Sequence, residues 1–173
     1  MADLDENPWL AIPADEYEAH MSAVGQSAAL RAMFFRVYSE RKPRRLAVLG
    51  CTTGSDLQLV TGDVLRVDLP RAGFDLVHAA LVLEYVDPLL LFRRIHRWLA
   101  PGGACSVVTQ NPASDVPAVG ETAFSSLRVL ASRMRLREAK QVTTLAGQCG
   151  LRLVGEEAAQ VGAKTLVSSV FAR

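Results

Sequence analysis

Four apolar residues, Leu46, Ala47, Val48 and Leu49, run directly into Gly50, Cys51, Thr52, Thr53 and Gly54. A glycine placed straight after a buried strand lets the backbone come close to a small molecule, with its amides free to face it. Gly50 and Gly54 are therefore binding-site candidates; without a ligand the same pair reads as two turn glycines. His78 has the side chain best suited to gain or lose a proton near neutral pH, which makes it a general-base candidate. The commoner role for such a residue is a hydrogen-bonded histidine at the rim of a site, and His96 reads as structural. Arg128, Arg133, Arg135 and Arg137 invite a phosphate reading, but no aromatic residues interleave with them, and solvated helix faces fit better. Asp68 follows Gly50 at an interval that imitates the ribose-binding acid of a dinucleotide fold, yet the GxGxxG pattern is missing. The sequence has no GxSxG elbow and no metal-ligand cluster.

These residues need elements to position them. Residues 14–21 form a short helix candidate with Asp15 as its cap, and residues 26–41 a firmer one carrying Leu30, Met33, Phe34 and Val37 on one face. Residues 45–49 read as a first strand, residues 57–61 as a second and residues 74–79 as the next. Asp87-Pro88 opens a helix that runs to Ala100, with Leu91, Phe92, Ile95, Trp98 and Leu99 inward and Arg93, Arg94 and Arg97 outward. Pro101-Gly102-Gly103 stops it and leads into a strand over residues 104–109. Residues 111–120 are loop, residues 125–137 and 142–149 are helices, and Gly150 takes the left-handed position after the last of them. Strands over residues 151–155 and 164–172, with a loop containing Gly162 between them, suggest an antiparallel hairpin. Strands alternating with helices predict a mainly parallel sheet covered on both faces.

The connection between the first two strands, residues 51–56, is short. Six residues extend over roughly 20 Å at most, about one strand length, so no covering helix fits in a parallel crossover there.

The 173 residues are the size of one domain, half of them apolar, with 19 Lys and Arg against 18 Asp and Glu. That balance gives no general attraction to nucleic acid or to an anionic membrane. Cys51, Cys105 and Cys149 are widely spaced, without a CxxC, and read as reduced thiols of a cytoplasmic protein. The acidic N-terminus does not read as a signal peptide, and no apolar run has the length of a membrane span.

Four stretches in order carry a family resemblance: LAVLGCTTG, TGDVLRVDLP, FDLVHAALVLEYVDP and LFRRIHRWLAPGGACSVVTQ. Together they resemble the first strand and glycine turn, the end of the third strand, the fourth strand with its following helix, and the glycine stop with the fifth strand of class I S-adenosylmethionine-dependent methyltransferases. The resemblance implies a Rossmann-like, doubly wound α/β fold with a C-terminal antiparallel hairpin and N-terminal helices. It lacks the first helix, second strand and second helix that the family places between glycine turn and third strand. The ribose-gripping carboxylate of that second strand therefore has no counterpart, and Val48 and Thr52 stand where the family has an acid and a glycine.

The resemblance places Gly50, Cys51, Thr52, Gly54, Asp63, Val64 and Ala80 around S-adenosylmethionine. Asp63 would accept from the adenine amine and Val64 would offer its amide to the ring; read without the family, Gly62-Asp63 is turn chemistry. Tyr17, His20 and Gln26 resemble the family's lid, in a division of residues 1–43 as a helical lid and 44–173 as the α/β domain. The expected activity is methyl transfer from S-adenosylmethionine to a small-molecule acceptor, with no metal, nucleic acid or membrane partner. The alternative is a shortened, non-catalytic domain that binds a partner or pairs with a second copy through an uncovered sheet edge. A nucleotide-dependent dehydrogenase ranks third.

Overall fold

The computed structural model describes residues 12–50, 62–120 and 122–173. Two helices, α1 (Ala14–Ala23) and α2 (Gln26–Arg41), precede β1 (Leu46–Leu49) and β2 (Phe74–Ala80); α3 (Pro88–Trp98) leads into β3 (Leu99–Gln110). A 3-10 turn (Ser125–Leu127), α4 (Arg128–Arg133) and α5 (Ala139–Gln148) follow, and β4 (Arg152–Val161) and β5 (Lys164–Ala172) close the chain. The sheet order is β1-β2-β3-β5-β4. β1, β2 and β3 are parallel, and β5 runs antiparallel to both β3 and β4.

The two faces of the sheet carry different cores. Val77, Ala79, Cys105, Val107 and Phe171 pack against Leu91, Phe92, Ile95 and Trp98 of α3 and against Val142 and Ala146 of α5. Alternate residues of the same strands turn the other way, since successive side chains of a strand point to opposite faces. Leu76 and Ala104 meet Val37, and Val108 and Leu166 meet Met33, so α2 covers that face.

Several local readings are corrected by what surrounds the segment. The N-cap of α1 is Pro13, with no side-chain capping bond, so Asp15 lies within the helix. The helix expected over residues 125–137 shrinks to the 3-10 turn and α4. Its remaining residues are drawn away by tertiary bonds, from the Arg135 amide to the Glu84 carbonyl (2.8 Å) and from Arg137 Nη1 to the Leu83 carbonyl (2.8 Å). Residues 156–161, read as loop, continue β4 because β5 offers a full antiparallel ladder from Glu156↔Ser169 to Val161↔Lys164. The hairpin turn is thus only Gly162-Ala163, with Gly162 at φ 58°. Helix α5 starts at Ala139, three residues ahead of the expected start, because Glu138 and Gln141 form a capping box. The expected strand over residues 57–61 lies outside the described residues, as do Cys51, Thr52 and Gly54.

Helix α3 ends at Trp98, and β3 begins at once, with residues 100–103 bulging between the pairs Phe74↔Leu99 and Leu76↔Ala104. The two glycines of that bulge are required for different reasons. Gly102 sits at φ 77° with open space where a side chain would go. A Cβ on Gly103 would stand 2.9 Å from the Ala100 carbonyl, 3.1 Å from that of Phe74 and 3.2 Å from that of Asp75. Backbone atoms of a paired strand cannot step aside, so Gly103→Ala is expected to cost about 3 kcal/mol. Gly102→Ala, with only the left-handed conformation against it, should cost about 1 kcal/mol. Urea midpoints of the two variants check this, and the reverse order would show that the bulge relaxes.

Candidate functional site

The carboxyl ends of β1, β2 and β3 lie side by side along one edge of the sheet, where ligands of open α/β sheets are bound. Gly50, at φ 73°, closes β1 there, and a Cβ on it would lie 2.8 Å from Val82 Cγ2 and 3.9 Å from the Ala80 carbonyl. Gly50 and Ala80, two of the expected cofactor contacts, are thus neighbours. The next residue, Leu81, is held at φ 55° with its amide donating to the Val108 carbonyl at 2.8 Å. A leucine in the left-handed region is strained, and such strain concentrates at ligand-binding edges.

Beside this edge is a cavity of about 40 Å³. Its floor is Leu81, Tyr85, Gln110 and Lys164, from the ends of β2 and β3 and the start of β5. Helix α1 supplies Tyr17, His20 and Met21, and Gln26 opens α2 on the same lining. The far wall is apolar, with Leu127, Leu130 and Met134. A hydrogen bond from Ser126 Oγ to Glu16 Oε2 ties α1 to that wall. Tyr17, His20 and Gln26, far from the sheet edge in sequence, therefore converge on it in space.

The other expected residues are placed apart. His78 lies within β2, under α2, 4 % exposed. Its Nδ1 is 3.2 Å from Ser106 Oγ, and its ring is 4.9 Å from that of Phe34. Burial pushes its pKa down to about 4, so it is neutral at physiological pH, and it does not line the cavity. Asp63 uses Oδ1 to accept from the Leu65 amide at 2.8 Å and Oδ2 to face Arg66 Nε at 3.3 Å. Val64 packs half-buried against the core that contains α3.

Glu84 is the residue that sequence reading passed over. It is 2 % exposed, accepts from the Gln110 amide at 3.0 Å through Oε1, and leaves Oε2 without a hydrogen-bond partner. Burial raises its pKa to about 7, against the weaker opposing pull of those hydrogen bonds and Arg137. Tyr17 and Tyr85 sense its charge: burial first, then Glu84, raises the Tyr17 phenol to about 12, and burial, Tyr17 and Glu84 raise that of Tyr85. The one available signal was a carboxylate in the apolar run LVLEYV, where an acid must be buried or functional. Among the described residues, no group of three or more His, Cys, Asp and Glu is placed to hold a metal, and no helix is long and apolar enough to cross a membrane.

A sheet in the order β1-β2-β3-β5-β4, with its last two strands antiparallel and helices on both faces, defines a class I methyltransferase-type fold. The methyltransferase-domain family model matches residues 24–107, which span α2, Gly50, β2, α3 and most of β3. The chain thus has the class I methyltransferase fold, and residues 24–107 of it resemble the methyltransferase domain.

Two solved structures agree on the fold. The Burkholderia thailandensis 1,6-didemethyltoxoflavin-N1-methyltransferase, crystallised with 1,6-didemethyltoxoflavin and S-adenosylhomocysteine, superposes with a TM-score of 0.63 at 15% identity, over 94% of this chain and 91% of that one. An S-adenosylmethionine-dependent methyltransferase from Mesorhizobium loti gives 0.51 at 19% identity, over 65% and 68%. The chain spans little more than a third of a longer relative, the Haemonchus contortus phosphoethanolamine N-methyltransferase 2, with 36% of that protein covered, 64% of this chain, 13% identity and a TM-score of 0.46. No curated protein sequence matches the chain.

Proposed function

We propose that the chain transfers the methyl group of S-adenosylmethionine to a small-molecule acceptor, with the cofactor at the ends of β1 and β2 and the acceptor in the cavity beneath α1. The observation that carries this is the convergence of Tyr17, His20, Gln26, Gln110 and Lys164 on a cavity beside the Gly50–Ala80 edge. Gly50 takes a left-handed conformation at the end of β1, with Val82 packed where a side chain would stand, and leaves its own backbone uncovered for a cofactor. Asp63 and Val64 are the residues for its adenine, although Asp63 would have to exchange its turn bonds for that contact.

The cofactor supplies an electrophilic methyl on a sulfonium; the chain's task is to align the acceptor with it and exclude water. Helix α1 would do the covering, while Met33 and Val37 of α2 pack on the sheet.

Melting with and without S-adenosylhomocysteine tests the reading. At a hundredfold excess over its dissociation constant the ligand should add about 2.7 kcal/mol to stability. No shift at millimolar ligand would overturn it in favour of a non-catalytic, self-associating domain. That second reading draws on Phe35 and Tyr38, which lie exposed on α2.

A further inference from the structure

The cavity has an electrostatic sign. Lys164 is half-buried at its edge, with Nζ donating to the Ala118 carbonyl at 2.8 Å. Among the described residues no carboxylate lies within ion-pair distance of it. An ammonium has three N–H donors, and among the described residues that bond uses one of them. Gln26, 4 % exposed and on the same lining, has its Nε2 buried without a hydrogen-bond partner. A buried donor left unpaired is costly, and so is a partly desolvated cation with no counter-charge among the described residues. Burial lowers the pKa of Lys164, and burial together with Lys164 lowers that of His20, which places the cation close to the α1 side of the cavity.

Size narrows the ligand further. A water needs about 10–15 Å³ measured in this way, so about 40 Å³ holds three heavy atoms, the size of a carboxylate. The cavity is half-open, and the apolar remainder of such a ligand would lie at its mouth against Met21, Leu127, Leu130 and Met134.

We infer that the cavity receives the carboxylate of an acceptor that is otherwise apolar, held by Lys164 Nζ and the Gln26 side-chain amide. This rests on the methyl-transfer reading only for the word acceptor. A second carboxylate is at hand in the methionine part of the cofactor, but the cavity adjoins the end of β3 and the start of β5 and is lined by neither Gly50 nor Ala80.

Saturation-transfer NMR titrations with benzoate and its neutral isostere benzamide test the inference on the intact chain. Benzoate should bind about tenfold more tightly than benzamide, the worth of one charge-assisted hydrogen bond. Lys164→Gln should abolish the preference and Lys164→Arg should keep it. S-adenosylhomocysteine should leave benzoate binding in place. Equal binding of the two probes by the wild type overturns the inference without needing any variant, as does a preference that survives in Lys164→Gln. Competition between benzoate and S-adenosylhomocysteine overturns it too, by giving the site to the cofactor. A benzoate preference without S-adenosylhomocysteine binding would uphold the anion site and sink the methyl-transfer reading instead.

Discussion

Replacing Glu84 with glutamine is expected to stabilise the domain by about 3 kcal/mol above pH 7 and to change little below pH 4.5. Burial raises this carboxyl from its ordinary 4.5 to about 7. The folded protein therefore holds a proton that the unfolded chain releases between those values. Stability from this group is complete below pH 4.5 and lost as pH rises through about 7. Glutamine keeps an oxygen to accept from the Gln110 amide and has no charge to bury. His78 tilts the opposite way. Its folded pKa of about 4 lies below its ordinary 6.5, so the unfolded chain takes up the proton first. Its contribution is present above pH 6.5 and lost as pH falls through about 4. Between pH 4.5 and 6.5 the two slopes nearly cancel in the wild type. His78→Gln should gain about 3 kcal/mol relative to the wild type on going from pH 6.5 to 4, and Glu84→Gln the same amount on going from pH 4.5 to 7. Urea unfolding at pH 4, 5.5 and 8 reads both. Parallel curves for wild type and Glu84→Gln would show that this carboxyl is not desolvated.

The pair also shows where sequence reading stops. A period of 3.6 marks the inward face of α3 and a capping Asp87-Pro88 marks its start, and both are local signals; Asp87 Oδ1 accepts from the Leu90 amide at 3.1 Å as such a cap should. Helix α2 and strand β5 have the boundaries their patterns indicate, and the sheet has the parallel-then-antiparallel order that the alternating strands and the closing strand pair imply. Burial of a polar residue is not local. His78 stands in an alternating strand, and only the placement of Phe34 over it and Ser106 beside it makes it a neutral packed ring. Glu84 follows three apolar residues, and only its bond to the Gln110 amide, across the sheet edge, reveals why an acid is tolerated there. Lys164 reads as the first residue of a strand until the loop carbonyl of Ala118 and the orphaned Gln26 amide are seen to share its cavity. Residues 156–161 fail for a related reason, since EEAAQV has little strand propensity of its own and is recruited by its partner.

The largest single loss of stability is expected at Trp98. The ring is 1 % exposed at the end of α3, in the core shared with Phe92, Val107 and Phe171. Trp98→Ala removes that apolar surface and leaves a cavity in a packed layer, at a cost of about 4 kcal/mol. For a domain of this size the melting temperature should fall by about 12 °C. A further effect separates Trp98 from an ordinary core residue. Arg94 lies over its ring, with Cζ 5.2 Å from the centroid, and donates through Nη2 to the Val67 carbonyl. Val64, Leu65, Val67 and Leu69 rest against the same core. The indole thus helps hold the guanidinium that pins the turn bearing Asp63 and Val64. In Trp98→Ala, hydrogen exchange at Leu65 and Val67 should quicken beyond what the global loss of stability explains, while Trp98→Phe, which keeps a ring under Arg94, should preserve much of the protection. S-adenosylhomocysteine binding, measured well below the melting temperature, should weaken in step with that exchange. Uniform acceleration of exchange across the domain would mean that the turn is held by general packing and not by the Trp98–Arg94–Val67 link.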